Sequence, residues 1–151
     1  MPVAIRNARP ADMAVVNAIY NAQGIDTTAS YGYEPLGEAY WLGWLDDQYA
    51  AGRPCLVAEI DGQVVGFAYY TPFRGKQGWA LTVENSVYVD ARTQGGGVGR
   101  ALMDALIQQA RADGRHVMVA CIDAANQISQ DFHARLGFEL MGVLPEGGRK
   151  F

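Results

Sequence analysis

The sequence predicts an α/β domain in which helices flank one mixed sheet. Three observations carry this. Two apolar runs, "PCLVAEI" and "QVVGFAYY", meet at Asp61-Gly62, a pair that favours a tight hairpin. Segments with strand character outnumber helices in the first half, and the second half alternates β-α-β-α-β. Half of the 151 residues are hydrophobic, yet no apolar run is long enough to cross a bilayer, so residues 1–151 are expected to form one domain around one core.

In chain order, "VAIRNA" at residues 3–8 is a short strand. "PADMAVVNAIYNA" is a helix, because Pro10 and Asp12 suit its start and Met13, Val16, Ile19 and Tyr20 share a face. A polar and aromatic loop, "GIDTTASYGYEPLG", precedes a second amphipathic helix, marked by Tyr40, Trp41, Trp44, Leu45 and Tyr49 and ended near Gly52. The hairpin strands follow, then the loop "TPFRGKQGWA" and the strand "LTVENSVYVD". Beyond a glycine segment and its long helix, "HVMVACID" is apolar almost throughout, the pattern of a strand covered on both faces. "NQISQDFHARLG" is a helix closed by Gly137, and "FELMGVL" a last strand.

The glycine segment raises a chemical question. Gly95, Gly96, Gly97 and Gly99 crowd into five positions between "SVYV" and the helix. Successive bare amides at the positive end of a helix dipole form a phosphate site, and Arg92 and Arg100 flank this one. A mobile glycine turn is the plainer alternative. No Lys-Ser or Lys-Thr follows, as a Walker loop requires, and Gly97-Val98-Gly99 lacks the third glycine of a dinucleotide loop.

The spacing Gln94-x-x-Gly97-x-Gly99 resembles the acyl-CoA pyrophosphate loop of the GNAT superfamily of N-acetyltransferases. "TVENSVYV", "QGGGVGRALMDALI", "HVMVACIDAANQIS" and "FHARLGFELMGVL" look like consecutive blocks of its phosphinothricin and methionine sulfoximine acetyltransferase-like branch. "IYNAQGIDTTASYGYEP" and Pro72-Phe73-Arg74 extend the resemblance over nearly the whole chain. It implies a GNAT-like, mostly antiparallel sheet with a splayed central strand pair, acetyl-CoA as cosubstrate and no metal. Pantetheine would lie along Val87 and Val89, and the pyrophosphate on Gln94, Gly95, Gly96, Gly97, Val98, Gly99 and Arg100. Asn126 and Ser129 match positions near the cofactor arm, although Asn126 reads equally as the cap of its own helix.

Acetyl transfer to an amine needs the amine neutral. An amine of pKa about 9 is roughly 1% neutral at pH 7, so deprotonation costs about 2.7 kcal/mol. Glu84, a lone carboxylate in an apolar strand, is the expected base; the bland alternative is an acid on a solvated strand face. Asn85 departs from the branch, where relatives commonly carry His. His133 stands where many superfamily members place a tyrosine that protonates the departing thiolate, and it reads equally as a hydrogen-bonding group on the helix surface. An exposed loop arginine usually only solvates, but the resemblance makes Arg74 the expected clamp for an acceptor carboxylate, with Tyr31 and Glu34, and also Tyr33 and Trp79, as pocket walls, although Tyr31 and Tyr33 read nearly as well as packed core.

The resemblance thus implies acetylation of the α-amine of a small amino acid or analogue, of the methionine sulfone, methionine sulfoximine or phosphinothricin type, by direct attack in a ternary complex. A non-catalytic acyl-CoA-binding module, or an enzyme for polyamines or peptides, are the alternatives. A net charge of −4 argues against a nucleic-acid partner, and neither a secretory signal nor a membrane segment is evident, so a cytoplasmic location is expected. Cys55 and Cys121 are expected to be buried, reduced thiols. The resemblance implies a homodimer. It also implies a further strand beyond "GRKF", inserted between His116–Ile122 and Phe138–Leu144, so a C-terminal truncation of about ten to twenty residues is expected.

Overall fold

The computed structural model describes residues 2–151 and contains one five-stranded sheet in the order β1-β2-β3-β4-β5. Strands β1 (Ala4–Asn7), β2 (Cys55–Ile60), β3 (Gln63–Pro72) and β4 (Thr82–Val89) pair antiparallel, whereas β5 (Val117–Val119) runs parallel to β4. The sheet is therefore mixed and mostly antiparallel, as expected. At the hairpin Ile60 pairs with Gln63, and Asp61 and Gly62 both take positive φ, 51° and 75°. That is the turn whose twist matches the flanking strands.

Four α-helices flank the sheet among the described residues: α1 (Met13–Tyr20), α2 (Glu38–Ala50), α3 (Val98–Ala112) and α4 (Gln127–Arg135). A short 3-10 turn, Pro10–Asp12, leads into α1. The Asp12 carboxylate accepts the Arg9 amide at 2.7 Å and two guanidinium bonds from Arg6 at 2.8 Å each, fixing the helix start to β1. The expected helix through Ala22 is not continuous. From Asn21 to Ile25 it widens into a π-helical turn, with the Asp26 amide bonded to the Asn21 carbonyl at 3.0 Å. Such turns redirect carbonyls that a regular helix would keep on its axis.

Period-two alternation splits the sheet's side chains between two cores. Cys55, Val57 and Phe67 face α1 and α2, where they meet Met13, Val16, Ile19, Trp41 and Leu45. Leu56, Ala58, Ala68 and Val83 face Val98, Leu102, Met103 and Leu106 of α3.

Three further expectations are corrected. Only Val117–Val119 of the "HVMVACID" run pairs, and Val117 is 44% exposed rather than covered. "FELMGVL" forms no strand: Leu140, Met141 and Leu144 are 81%, 87% and 82% exposed. Apolar character favours burial but does not supply a pairing partner, and among the described residues no strand lies on the outer side of β5. Cys55 is buried, but Cys121 is exposed, because it lies beyond the paired part of β5.

Candidate functional site

The site begins where two strands part. The β4–β5 ladder joins Thr82 to Val117, Val83 to Met118 and Glu84 to Val119, then stops, while β4 continues to Val89. One edge of residues 85–89 therefore faces a gap inside the sheet, the splay expected for this pair.

Successive β4 side chains line opposite faces of that gap. Towards α3 and α4, Val87 and Val89 pack on the core, and Asn85 is buried. The Asn85 amide nitrogen lies 3.5 Å from the Val119 carbonyl, and its Oδ1 lies 3.3 Å from His133 Nε2. His133 Nδ1 donates to the Ser129 carbonyl at 2.8 Å, and burial holds the imidazole pKa below its usual value. His133 is thus a buried group rather than one on the helix surface.

The opposite face carries Glu84. It is half-buried, and desolvation lifts its carboxyl above the usual range against a lowering contribution from a hydrogen bond with Cys121. The Cys121 thiol is in turn pushed up, first by partial desolvation and then by the Glu84 charge. A thiol beside a carboxylate is poorly suited to act as a thiolate nucleophile. Glu84 pairs in register with Thr71, three residues before Arg74.

Beyond the gap lies the glycine segment. Gly95 and Gly97 both take φ of +84°, a left-handed backbone that a side chain strains. Gly97 is the N-cap of α3, whose first helical bond runs from the Ala101 amide to the Gly97 carbonyl at 3.0 Å. The amides of Val98, Gly99 and Arg100 thus have no intrahelical acceptor. The Val98 side chain is buried, leaving only its backbone for a ligand. A Cβ on Gly99 would come 3.3 Å from the Phe132 ring of α4, so this glycine permits helix packing as well. The flanking cations are already engaged: Arg92 with Asp90, Arg100 with Asp104. Gln94 Nε2 donates to the Val89 carbonyl at 3.3 Å and to Gln23 Oε1 at 3.1 Å, joining the glycine segment to the π turn. Asn126 caps α4 by accepting the Ser129 amide at 3.1 Å.

Residues 26–37 form an irregular loop between the π turn and α2. Tyr31 donates to Asp123 Oδ2 at 2.6 Å, so the loop reaches the segment after β5, and Tyr33 donates to the Arg149 carbonyl at 2.9 Å. Glu34 is exposed. Arg74, also exposed, stacks over Phe73 and Trp79, 5.5 and 5.7 Å from the ring centroids. It lines a cavity of about 300 Å³ with Arg53, Lys76 and Arg115; Tyr31, Glu34 and Glu84 do not line that cavity. Two groups escaped the sequence reading: Asp123, the partner of Tyr31, and Lys150, whose ammonium is buried among backbone carbonyls. No local pattern marks either one.

The chain matches the acetyltransferase (GNAT) family over residues 16–138. It is 43% identical to an L-methionine sulfoximine/L-methionine sulfone acetyltransferase of Pseudomonas aeruginosa, over 100% of this chain and 88% of that one. An N-acetyltransferase of known structure from Staphylococcus aureus superimposes with a TM-score of 0.96 at 36% identity, over 100% and 92% of the two chains. A GNAT superfamily phosphinothricin acetyltransferase from Sinorhizobium meliloti, in complex with acetyl-CoA, gives 0.94 at 32% identity, over 99% and 82%. By family match, identity and fold together, the chain belongs to the GNAT family of acetyltransferases, enzymes that draw their acyl group from acetyl-CoA.

Proposed function

We propose that the protein acetylates the α-amine of a small amino acid or analogue, of the methionine sulfone, methionine sulfoximine or phosphinothricin type, by direct attack in a ternary complex. The position of Glu84 carries this reading: a half-buried carboxylate of raised pKa at the residue where β4 and β5 separate. Such a carboxylate holds a proton more readily than an exposed one, and it stands beside the gap. The acceptors named for the Pseudomonas and Sinorhizobium relatives support the substrate class.

Acetyl-CoA supplies the acyl group as a thioester. The free amides of Val98, Gly99 and Arg100, on a loop shaped by Gln94, Gly95, Gly96 and Gly97, suit its pyrophosphate. The open backbone edge at Val87 and Val89 suits its amide-bearing arm, and Asn126 and Ser129 stand at the head of α4 beside it. Glu84 removes one proton from the acceptor ammonium. The nitrogen then bonds to the acyl carbon and the carbon–sulfur bond breaks. The second nitrogen-bound proton, now acidic, passes to the departing sulfur by way of His133 Nε2, which its lowered pKa keeps free to accept it. Arg74 pairs with the acceptor carboxylate, and Tyr31 and Glu34 stand on the loop enclosing the acceptor. We further place the enzyme in the cytoplasm as a homodimer, with exposed Tyr33, Trp79 and Leu81 supplying apolar contact near the acceptor rim.

Acetyl transfer measured across free amino-acid analogues, polyamines and short peptides tests the reading. The highest kcat/KM is expected for methionine sulfone, methionine sulfoximine or phosphinothricin. A preference for polyamines or peptides would replace the acceptor class, and tight acetyl-CoA binding without transfer to any amine would make the protein a binding module.

A further inference from the structure

Lys150 is 9% exposed, and its ammonium sits among backbone carbonyls. Ile25 and Thr27 accept from Nζ at 2.6 Å, Ser30 at 2.8 Å and Gly24 at 3.2 Å. An ammonium has three N–H bonds, so three short contacts use all of them and the fourth carbonyl adds charge stabilisation. Among the described residues no carboxylate makes an ion pair with Lys150. A buried charge without a counter-charge is costly unless fully hydrogen-bonded. The cage meets that cost the way carbonyl-lined ion filters do, by replacing the hydration shell with oxygens.

The four carbonyls come from the end of the π turn and the first half of the 26–37 loop, 120 to 126 residues from Lys150 in the chain. Neighbouring contacts add to the tie. Tyr33 donates to the Arg149 carbonyl, and Gly148 lies so close to the Tyr31 ring that an added Cβ would clash with it. Gly148, Arg149 and Lys150 therefore grip the loop between Gly24 and Tyr33.

We infer that Lys150 is a positioning residue for the acceptor: its ammonium, caged by the carbonyls of Gly24, Ile25, Thr27 and Ser30, holds the loop that carries Tyr31 in its binding conformation. The inference rests on the reading of that loop as the acceptor wall. Without the cation, four inward carbonyls repel one another and the loop opens. The glycine segment keeps its own geometry, so acetyl-CoA affinity does not change.

Lys150→Met removes the charge and keeps much of the length. Its KM for the acceptor should rise by about tenfold or more, within the usual range for coupled elements, while its KM for acetyl-CoA stays within about twofold. Hydrogen exchange of residues 24–33 should speed up in the same variant. In Lys150→Ala the cage is open to a bare cation, so potassium chloride should restore acceptor KM and slow the exchange, whereas lithium chloride at equal ionic strength should not. Unchanged exchange in Lys150→Met would overturn the cage as the element that orders the loop. Equal loss for both substrates, or no potassium rescue, would reduce Lys150 to general stability and overturn the inference. Faster exchange with unchanged acceptor KM would instead overturn the assignment of the loop to the acceptor, and with it the link from Lys150 to binding.

Discussion

The segment at Gln94–Gly97 is shaped by its own residues: left-handed glycines turn the chain, and the first turn of α3 presents amides because every helix start does. The loop at residues 26–37 is shaped from outside. Its carbonyls converge on Lys150, Tyr31 reaches Asp123 and Tyr33 reaches Arg149, all across spans of more than ninety residues. Local construction makes a site that tolerates change elsewhere in the chain. Remote construction makes one whose shape depends on what is placed against it, which suits the acceptor pocket proposed for this loop.

The largest expected effect belongs to the residue between the two regions. Glu84→Gln should lower kcat at pH 7 by roughly 10²–10⁴ while leaving both affinities nearly unchanged, and the rate should recover as pH nears the acceptor amine pKa. In the parent enzyme the carboxylate is the active form and its pKa is raised, so activity should fall with falling pH before an ordinary carboxylate would titrate. A flat pH–rate profile in the Gln variant would remove Glu84 from its role.

Gly97→Val tests the self-shaped segment. A branched side chain at φ +84° is strained and crowds the amides, so CoA affinity by calorimetry should fall by about a hundredfold, with the acceptor constant unmoved. Matching losses at both sites would mean that the two regions do not stand apart. On the acceptor side, Arg74→Ala should raise KM about tenfold or more for amines bearing a carboxylate, and little for amines without one. Equal effects on the two amine classes would show that Arg74 reads no carboxylate.

The smallest effect lies in neither region. Asp12→Asn loses the forked bond to Arg6 and should cost about 1–3 kcal/mol of stability with both substrate constants intact. Arg6 hydrogen bonding lowers the Asp12 pKa in the folded state, so this contribution is present above the unfolded pKa and disappears as pH falls through the folded one. Urea melts of parent and variant should converge under acid. A gap that persists there would assign the loss to packing.

The same contrast explains what the sequence could reveal. Hairpin, helix faces and glycine segment were legible because each is specified within a few residues: Asp61-Gly62 needs no distant partner to turn. "FELMGVL" misled because alternation and apolarity describe a surface, while a strand exists only through its neighbour. Val117–Val119 is short for the same reason. Glu84, Arg74 and the glycines drew notice as candidates by residue type and place, but the Lys150 cage joins a lone lysine to carbonyls, which every residue has. Backbone acceptors carry no sequence signature.

The bond from Gln94 to Gln23 ties the glycine segment to the π turn that leads directly into the 26–37 loop. Its consequence is a reciprocity. If seating the acyl donor shifts Gln94 and thereby changes acceptor affinity by some factor, seating the acceptor must change donor affinity by that same factor. Acceptor affinity measured with and without bound CoA, in the parent and in Gln94→Ala, would therefore read out, as one coupling free energy, how strongly each substrate announces its arrival to the other.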